Sequence, residues 1–455
     1  MTEAEGVAIM KPTTKGETIM LKKDTFAKRP PMGWNSWDCY GAAVNEEQLM
    51  GNAEYIRDNL KDYGFEYVVC DIQWYEPNAK SNFYNAFTEL CMDEYSRLIP
   101  AENRFPSSKN GVGFKDIADR IHAMGLKFGI HIMRGIPRQA VHGNTPIKGT
   151  DRTARQIAQD FSLCSWNTDM YGVNPNAEGA REYYNSLFEL YASWGVDFVK
   201  VDDICVTEYK PHDPYSARGE IELIREAIDN CGRDMVLSLS PGPAQIDAAF
   251  HLSQNANMWR MTGDFWDHWD KLKSMFERCE KWNPHVKEGC WPDCDMLPLG
   301  KISKNCSCLG DRDRYTNFTP DEQRTMLTLW SVFRSPLILG GELRENRPED
   351  LEVITNRDII EINQYSSENK QLFRNRNSAA WTCLDKDGNR VVALFNLTDE
   401  DKEITVDLKK YGIDGDYKAT ELWTKAEASF NGEISYNVKA HGTAIFRMQN
   451  AKCKM

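Results

Sequence analysis

Eight times between about residue 33 and residue 339, a short apolar run is followed or preceded by a helix-period segment. No other feature of the chain restricts its fold as much. The runs are Gly33 to Trp37, Tyr67 to Asp71, Lys127 to Ile132, Val196 to Asp202, Met235 to Ser240, Asn257 to Arg260, the stretch leading into Asp293 to Leu297, and Pro336 to Leu339. Helix-period segments lie at Glu46 to Tyr63, Lys115 to Met124, Glu182 to Ser193, Ile221 to Asn230, His268 to Cys279 and Pro320 to Phe333. An apolar run fed by a helix reads as a buried parallel strand, and eight alternating units predict a (β/α)8 TIM barrel of the α/β class. From about Gln371 the pattern changes to strict alternation broken by turn signals such as Asp385 to Asn389 and Asp414 to Asp416, which predicts a C-terminal antiparallel β-sandwich. The expected organisation is a flexible lead-in over 1–25, a catalytic barrel over 26–367 and the sandwich over 368–455.

In such a barrel, side chains at the carboxyl ends of the strands point into an open crevice. Sorting residues by strand end brings together Asp71, His131, Lys200 with Asp202, Ser240, Arg260 with Asp264, and Asp295. Lys200 and Asp202 are two apart and share one strand face, where a cation lowers the pKa of a neighbouring carboxylate. A ring of carboxylates among tryptophans suits a polyhydroxyl ligand, because carboxylates accept from vicinal hydroxyls and indole faces stack on sugar C–H surfaces. Two of these carboxylates suffice for glycoside hydrolysis. Metal-assisted hydrolysis needs more ligands than one ring histidine supplies, so no metal and no organic cofactor are expected. The long connection from 134 to 180 falls on the catalytic face, where it is expected to shape the mouth of the site.

The net charge of -13 disfavours nucleic acid and anionic membranes as partners. The 13 cysteines form no small-domain disulfide framework, and the cluster Cys290, Cys294, Cys306 and Cys308 has spacings unlike those of structural zinc sites. A reducing cytoplasm with free thiols is the simplest expectation, or secretion if a cleaved leader once preceded the sequence. A homodimer is compatible with the long insertion and the acidic surface.

Several longer stretches carry a resemblance. PPMGWNSWDCYG (30–41), SWGVDFVKVDD (193–203), WRMTGDFWD (259–267), PDCDMLPLG (292–300), EQRTMLTLWSVFRSPLILGG (322–341), ITNRDIIEINQ (354–364) and HGTAIFRM (441–448) follow one another as in glycoside hydrolase family 27. The chain resembles that family of α-galactosidases and α-N-acetylgalactosaminidases over roughly residues 29 to 447. The resemblance implies a retaining exo-glycosidase that releases a terminal α-linked galactose-type sugar by double displacement. It makes Asp202 the nucleophile and Asp264 the acid/base, with Lys200 and Arg260 as hydroxyl ligands. Trp37 and Trp74 would form the floor of the pocket, Asp71 would hold a hydroxyl at C4 or C6, and Asp295 would sit behind the acid/base.

The sequence also departs from the family. Its second strand typically ends in two adjacent aspartates, but here the second is Ile72, which leaves Gln73 or Glu76 as stand-ins. His131 and Met133-Arg134 stand where the family has Tyr and Asp, so Arg134 is expected either to meet a substrate carboxylate or to pair within the insertion. Ser240 and Ala244 match the small residues with which N-acetylgalactosaminidases make room for an acetamide. Three sugars stay open: α-galactose, α-N-acetylgalactosamine and β-L-arabinopyranose, which is galactose-like without C6. A catalytically silent sugar-binding protein is a further reading, opposed by the presence of both Asp202 and Asp264.

Overall fold

The computed structural model describes residues 21–80, 83–205, 212–213, 215–240, 242–304 and 313–450. Eight parallel strands curl into a barrel: β1 (Met32–Asn35), β2 (Tyr67–Cys70), β3 (Lys127–Met133), β4 (Phe198–Asp202), β5 (Val236–Leu239), β6 (Met258–Arg260), β7 (Trp291–Asp293) and β8 (Leu337–Leu339). Neighbours pair in chain order and β8 pairs with β1. Leu297, just beyond β7, closes the ring through a parallel bridge to Leu339; its N–H donates to the Ile338 carbonyl at 2.8 Å. The intervening helices are α1 (Glu46–Tyr55), α2 (Lys115–Ala123), α3 (Ala180–Trp194), α4 (Arg218–Asn230), α5 (Ala249–Asn255), α6 (Trp269–Trp282), α7 (Pro320–Phe333) and α8 (Arg357–Tyr365).

Local chemistry sets the boundaries of these elements. Thr319 caps α7 by accepting from Glu322 N–H, the Glu322 carboxylate reaches back to Thr319 N–H at 2.8 Å, and Pro320 occupies the first helical position. Gly195 ends α3 with φ +86°, a left-handed conformation that frees the chain to enter β4. Gly33 is required by the close approach of β1 to β2, because a Cβ there would lie 2.3 Å from the Tyr67 carbonyl oxygen. Strand one is shorter than the sequence pattern predicts: it stops at Asn35, and Trp37 opens a helical turn, Trp37–Tyr40. The segment from Glu46 to Tyr63 is likewise not one α-helix, since it widens into a π-turn over Ile56–Leu60 and ends in a 3₁₀ turn.

The C-terminal part is an antiparallel sandwich. β9 (Ser367–Arg374), β10 (Ser378–Leu384), β11 (Arg390–Asn396), β13 (Asp416–Glu421), β14 (Glu427–Asn431) and β16 (Thr443–Asn450) make one sheet, and β12 (Lys402–Asp407) pairs with β15 (Glu433–Val438) in the other. Val392, Leu394, Ile404, Val406, Ile434 and Phe446 fill the space between the sheets. The outer face of the larger sheet packs on the barrel through Phe395 against Phe276 and Trp381 against Phe333. Among the described residues, no helix is long and apolar enough to cross a membrane. Cys306 and Cys308 lie outside the described residues, while Cys290 and Cys294 are buried thiols.

Candidate active site

A cavity of about 400 Å³ opens at the carboxyl ends of the strands. Asp71, Lys200, Asp202, Ser240, Arg260, Asp264 and Asp295 line it, so residues scattered over more than two hundred positions converge as the strand-end sorting predicts, and Trp37, named through the resemblance, lines it beside them. Ile72, singled out in the sequence where the family has its second aspartate, lines it as well, as do Asp38, Tyr84, Trp166, Phe265, Trp266 and Met296, to which sequence reasoning assigned no binding role. Asp38 adjoins Trp37 and could have been found by its place in that motif. Tyr84 and Trp166 arrive on loops and have no periodic signal.

The floor is polar and tightly partnered. Lys200 Nζ donates to Asp71 Oδ2 at 2.9 Å, Asn35 Nδ2 donates to the same oxygen at 2.7 Å, and Ile72 N–H donates to Oδ1 at 2.8 Å. Burial alone would raise the Asp71 pKa, but the charges of Lys200 and His131 and the Ile72 N–H together hold it well below the usual carboxylate range. Asp202, at the end of β4, accepts from Asp203 N–H at 2.8 Å and from His131 Nε2 at 3.1 Å. Because an ionised carboxylate only accepts, that imidazole nitrogen carries the proton. Burial pushes the Asp202 pKa up; His131 first, then Lys200 and the Asp203 N–H, reverse this and leave it below its ordinary value. The direct ion pair of Lys200 is therefore with Asp71, and His131 is the closer partner of Asp202.

The rim is built around Arg260 at the end of β6. Its Nη2 lies 3.0 Å from Asp264 Oδ1 and 2.9 Å from Asp295 Oδ2. Asp295 is fixed further by the N–H groups of Phe265 and Met296, each at 2.8 Å. Asp293 lies behind, its pKa pushed up to about 7 by burial and by the charge of Asp295. The Asp264 side chain is 67% exposed, whereas that of Asp202 is 15% exposed. One carboxylate is thus deep, ionised and fixed, while the other stands at the mouth on a guanidinium. A sugar seated on the floor would have Asp202 beneath it and Asp264 at its solvent side.

Four of the residues expected to bind substrate do not line the cavity. Arg134 is buried, with Nη2 2.8 Å from Asp203 Oδ2 and Nη1 3.2 Å from Glu220 Oε1. Its charge is neutralised there, so it faces no substrate carboxylate. Its two carboxylate partners lie on the β4 loop and on α4, and its Nη2 also donates to the Ser162 carbonyl of the insertion at 3.5 Å. Trp74 is fully buried among Tyr75, Phe114 and Trp194, and donates its indole N–H to the His131 carbonyl at 2.7 Å. His131 is itself fully buried and acts through Asp202. Ala244 is 5% exposed, its N–H held by the Arg260 carbonyl at 2.9 Å. Nor do Gln73 and Glu76 replace the missing aspartate. Gln73 donates to Asp169 at 2.8 Å, and Glu76 accepts from Asn85 at 3.0 Å and Thr88 at 3.1 Å, so both serve to tie loops together.

A larger recess of about 1030 Å³ lies at the opposite end of the barrel beside Arg29, Arg334 and Arg357, but it contains none of the strand-end carboxylates. An ionised buried carboxylate facing an exposed one across a sugar-sized pocket, on a (β/α)8 barrel, is the machinery of a glycoside hydrolase. Family comparison agrees: residues 174–365 match the model described as alpha galactosidase A, and residues 376–448 match the alpha galactosidase C-terminal beta sandwich domain. The chain is 53% identical to a family 27 β-L-arabinopyranosidase from Geobacillus stearothermophilus, solved in complex with arabinose, covering 95% of this chain and 99% of that one with a TM-score of 0.92. It is 51% identical to a Bacillus halodurans C-125 protein provisionally named an α-N-acetylgalactosaminidase, covering 92% of this chain and 97% of that one with a TM-score of 0.83. Alpha-galactosidase 3 of Arabidopsis thaliana is 25% identical over 431 residues, 92% of this chain and 82% of its own length. The chain belongs to glycoside hydrolase family 27 and is a retaining glycosidase.

Proposed function

We propose that this retaining glycosidase releases terminal β-L-arabinopyranose, with Asp202 as nucleophile and Asp264 as acid/base. Asp202 attacks the anomeric carbon while Asp264 gives a proton to the leaving oxygen; Asp264 then takes a proton from the water that hydrolyses the glycosyl-enzyme. The Lys200–Asp71 pair and Arg260 are placed to hold ring hydroxyls.

The observation that carries the choice of sugar is Ile72. Its side chain lines the cavity directly after Asp71, where the family pattern has a second carboxylate. An apolar side chain accepts no hydrogen bond from a hydroxyl and fills space beside the floor. β-L-Arabinopyranose keeps the ring configuration of α-galactose and lacks the C6 hydroxymethyl, so it loses least at such a position. The 53% identity to an enzyme named for that sugar supports the same reading. A second reading, α-N-acetylgalactosaminidase, rests on Ser240, a small residue in the cavity wall. Ala244, the other half of that argument, does not reach the cavity.

The test is release of p-nitrophenol from the β-L-arabinopyranoside, the α-galactoside and the α-N-acetylgalactosaminide in parallel. The arabinoside is expected to have the highest kcat/KM; a higher value for the acetamido sugar would transfer the assignment to the second reading. Ile72→Asp is expected to move the ratio of galactoside to arabinoside by about tenfold towards galactose, since one buried hydrogen-bond partner is worth about 1–2 kcal/mol. An unchanged ratio would remove Ile72 as the determinant. Asp264→Ala is expected to lose about 100- to 10,000-fold on an alkyl glycoside, whose leaving group needs the proton. The loss should be much smaller on a glycoside with an acidic phenol, and equal losses on both would deny Asp264 the acid role.

A further inference from the structure

The chemistry just described uses the polar floor of the cavity and leaves its aromatic rim unexplained. Tyr84, on the β2–α2 connection, and Trp166, on the β3–α3 connection, line the cavity and are both partly exposed. The Tyr84 ring lies 6.0 Å from that of Trp37 with planes 20° apart, and Trp166 continues the row 5.6 Å beyond Tyr84. The result is a wall of three rings. Trp266, two residues after the exposed Asp264, stands in the lining of the same cavity.

The two loops that carry this wall are fastened to each other. Phe87 N–H donates to Thr168 Oγ1 at 2.7 Å. Arg138 bridges the loops by donating to the Thr88 carbonyl at 2.7 Å and the Thr168 carbonyl at 3.2 Å. Asp169 accepts from both Gln73 at 2.8 Å and Tyr75 at 3.1 Å. Partly exposed aromatic side chains on loops this firmly tied are held in place before any ligand arrives, so little ordering entropy opposes binding there.

We propose that Tyr84 and Trp166 form an aglycone subsite that selects leaving groups with a flat apolar face, a planar ring system in preference to a flexible alkyl chain. The inference rests on the reading of the cavity as a glycosidase site, but not on which sugar fills it. The depth of the groups decides the direction. The Lys200–Asp71 pair that holds ring hydroxyls lies in the floor and is little exposed, whereas the proton donor stands at the solvent side. The leaving oxygen must face that donor, and the group attached to it must leave through the rim. There it meets the aromatic wall, with which a flat face stacks in offset or edge-to-face geometry.

The experiment compares two donors of the same sugar in the wild type, Tyr84→Ala and Trp166→Ala: the p-nitrophenyl glycoside and the glycosyl fluoride, whose leaving group reaches no subsite. Each substitution is expected to lower kcat/KM about tenfold on the aryl glycoside and less than about twofold on the fluoride. Retained fluoride hydrolysis also shows that the variant is folded. Tyr84→Phe and Trp166→Phe should restore most of the aryl preference. Equal losses on the two donors, or no loss on the aryl glycoside, would overturn the proposal. If arabinosyl donors are not turned over at all, the sugar assignment falls, and the same pair of donors built on galactose still decides whether the subsite exists.

Discussion

Asp202→Ala is expected to lower kcat/KM on p-nitrophenyl β-L-arabinopyranoside by about 10,000-fold or more, because it removes the atom that bonds to the anomeric carbon. The substitution should leave binding of free L-arabinose largely intact, since Lys200, Asp71 and Arg260 keep their own partners: Lys200 with Asp71 at 2.9 Å, and Arg260 with Asp295 at 2.9 Å. Sodium azide should restore turnover in the space left by the carboxylate. The azide would form the new C–N bond from the side that Asp202 occupied, the aglycone would leave with the proton from Asp264, and the product would be a glycosyl azide inverted at C1. A variant that keeps more than a few per cent of wild-type turnover without azide, or an azide product of retained configuration, would remove Asp202 from the nucleophile's place. The floor explains why such a nucleophile works near neutrality. His131, Lys200 and the Asp203 N–H outweigh the effect of burial and keep Asp202 ionised.

Arg134→Met is expected to destabilise the fold by about 3–5 kcal/mol, the usual consequence of removing one partner from a buried ion pair. Arg134 answers two carboxylates, Asp203 at 2.8 Å and Glu220 at 3.2 Å. Glu220 would retain hydrogen bonds from Tyr184 Oη at 2.6 Å and Val173 N–H at 3.1 Å. Asp203 would be left with the harder problem. Even with Arg134 present, burial raises its pKa to about 7. A carboxyl whose folded pKa lies above its unfolded value takes up a proton on folding, so its charge opposes the fold progressively as pH rises from about 4 through 7. The loss of stability in Arg134→Met should therefore be smaller at pH 5.5 than at pH 8, as read from denaturant midpoints at the two values. Equal stability of variant and wild type at both would mean that the triad contributes nothing to the fold. Because Asp203 directly follows Asp202 and donates its N–H to it at 2.8 Å, the variant should also lose activity in proportion to the disorder of that turn.

These two residues also mark how far the sequence could be read. The eight-unit alternation and the run WGVDFVKVDD put Asp202 at the end of a buried parallel strand, and in a barrel every strand end faces one crevice. Asp71, Lys200, Arg260, Asp264 and Asp295 could be named together for that reason alone, since strand periodicity and barrel closure are properties of the chain's own pattern. Arg134 sits one residue past a strand end as well, but only its departure from the family pattern singled it out, with contact to a substrate carboxylate and pairing within the insertion both left open. The rule does not say which way a side chain turns once its strand has ended, and here two buried carboxylates on neighbouring elements drew it behind the wall. Trp74 was assigned to the floor by resemblance, but the structure buries it among aromatic neighbours and ties its indole to the His131 carbonyl.

By itself, the sequence determined the barrel, the sandwich and the set of carboxylates at the carboxyl ends of the strands. Those depend on hydrophobic period, and the period is written locally. Only the tertiary structure decided which of those groups pair. Lys200 belongs to Asp71, His131 to Asp202, and Arg134 to Asp203 and Glu220. It likewise decided that Tyr84 and Trp166, 82 residues apart with no pattern linking them, stand side by side at the mouth. Ion pairing and ring stacking depend on distances of a few ångströms between distant parts of the chain. Such distances exist only once the loops have closed over the barrel.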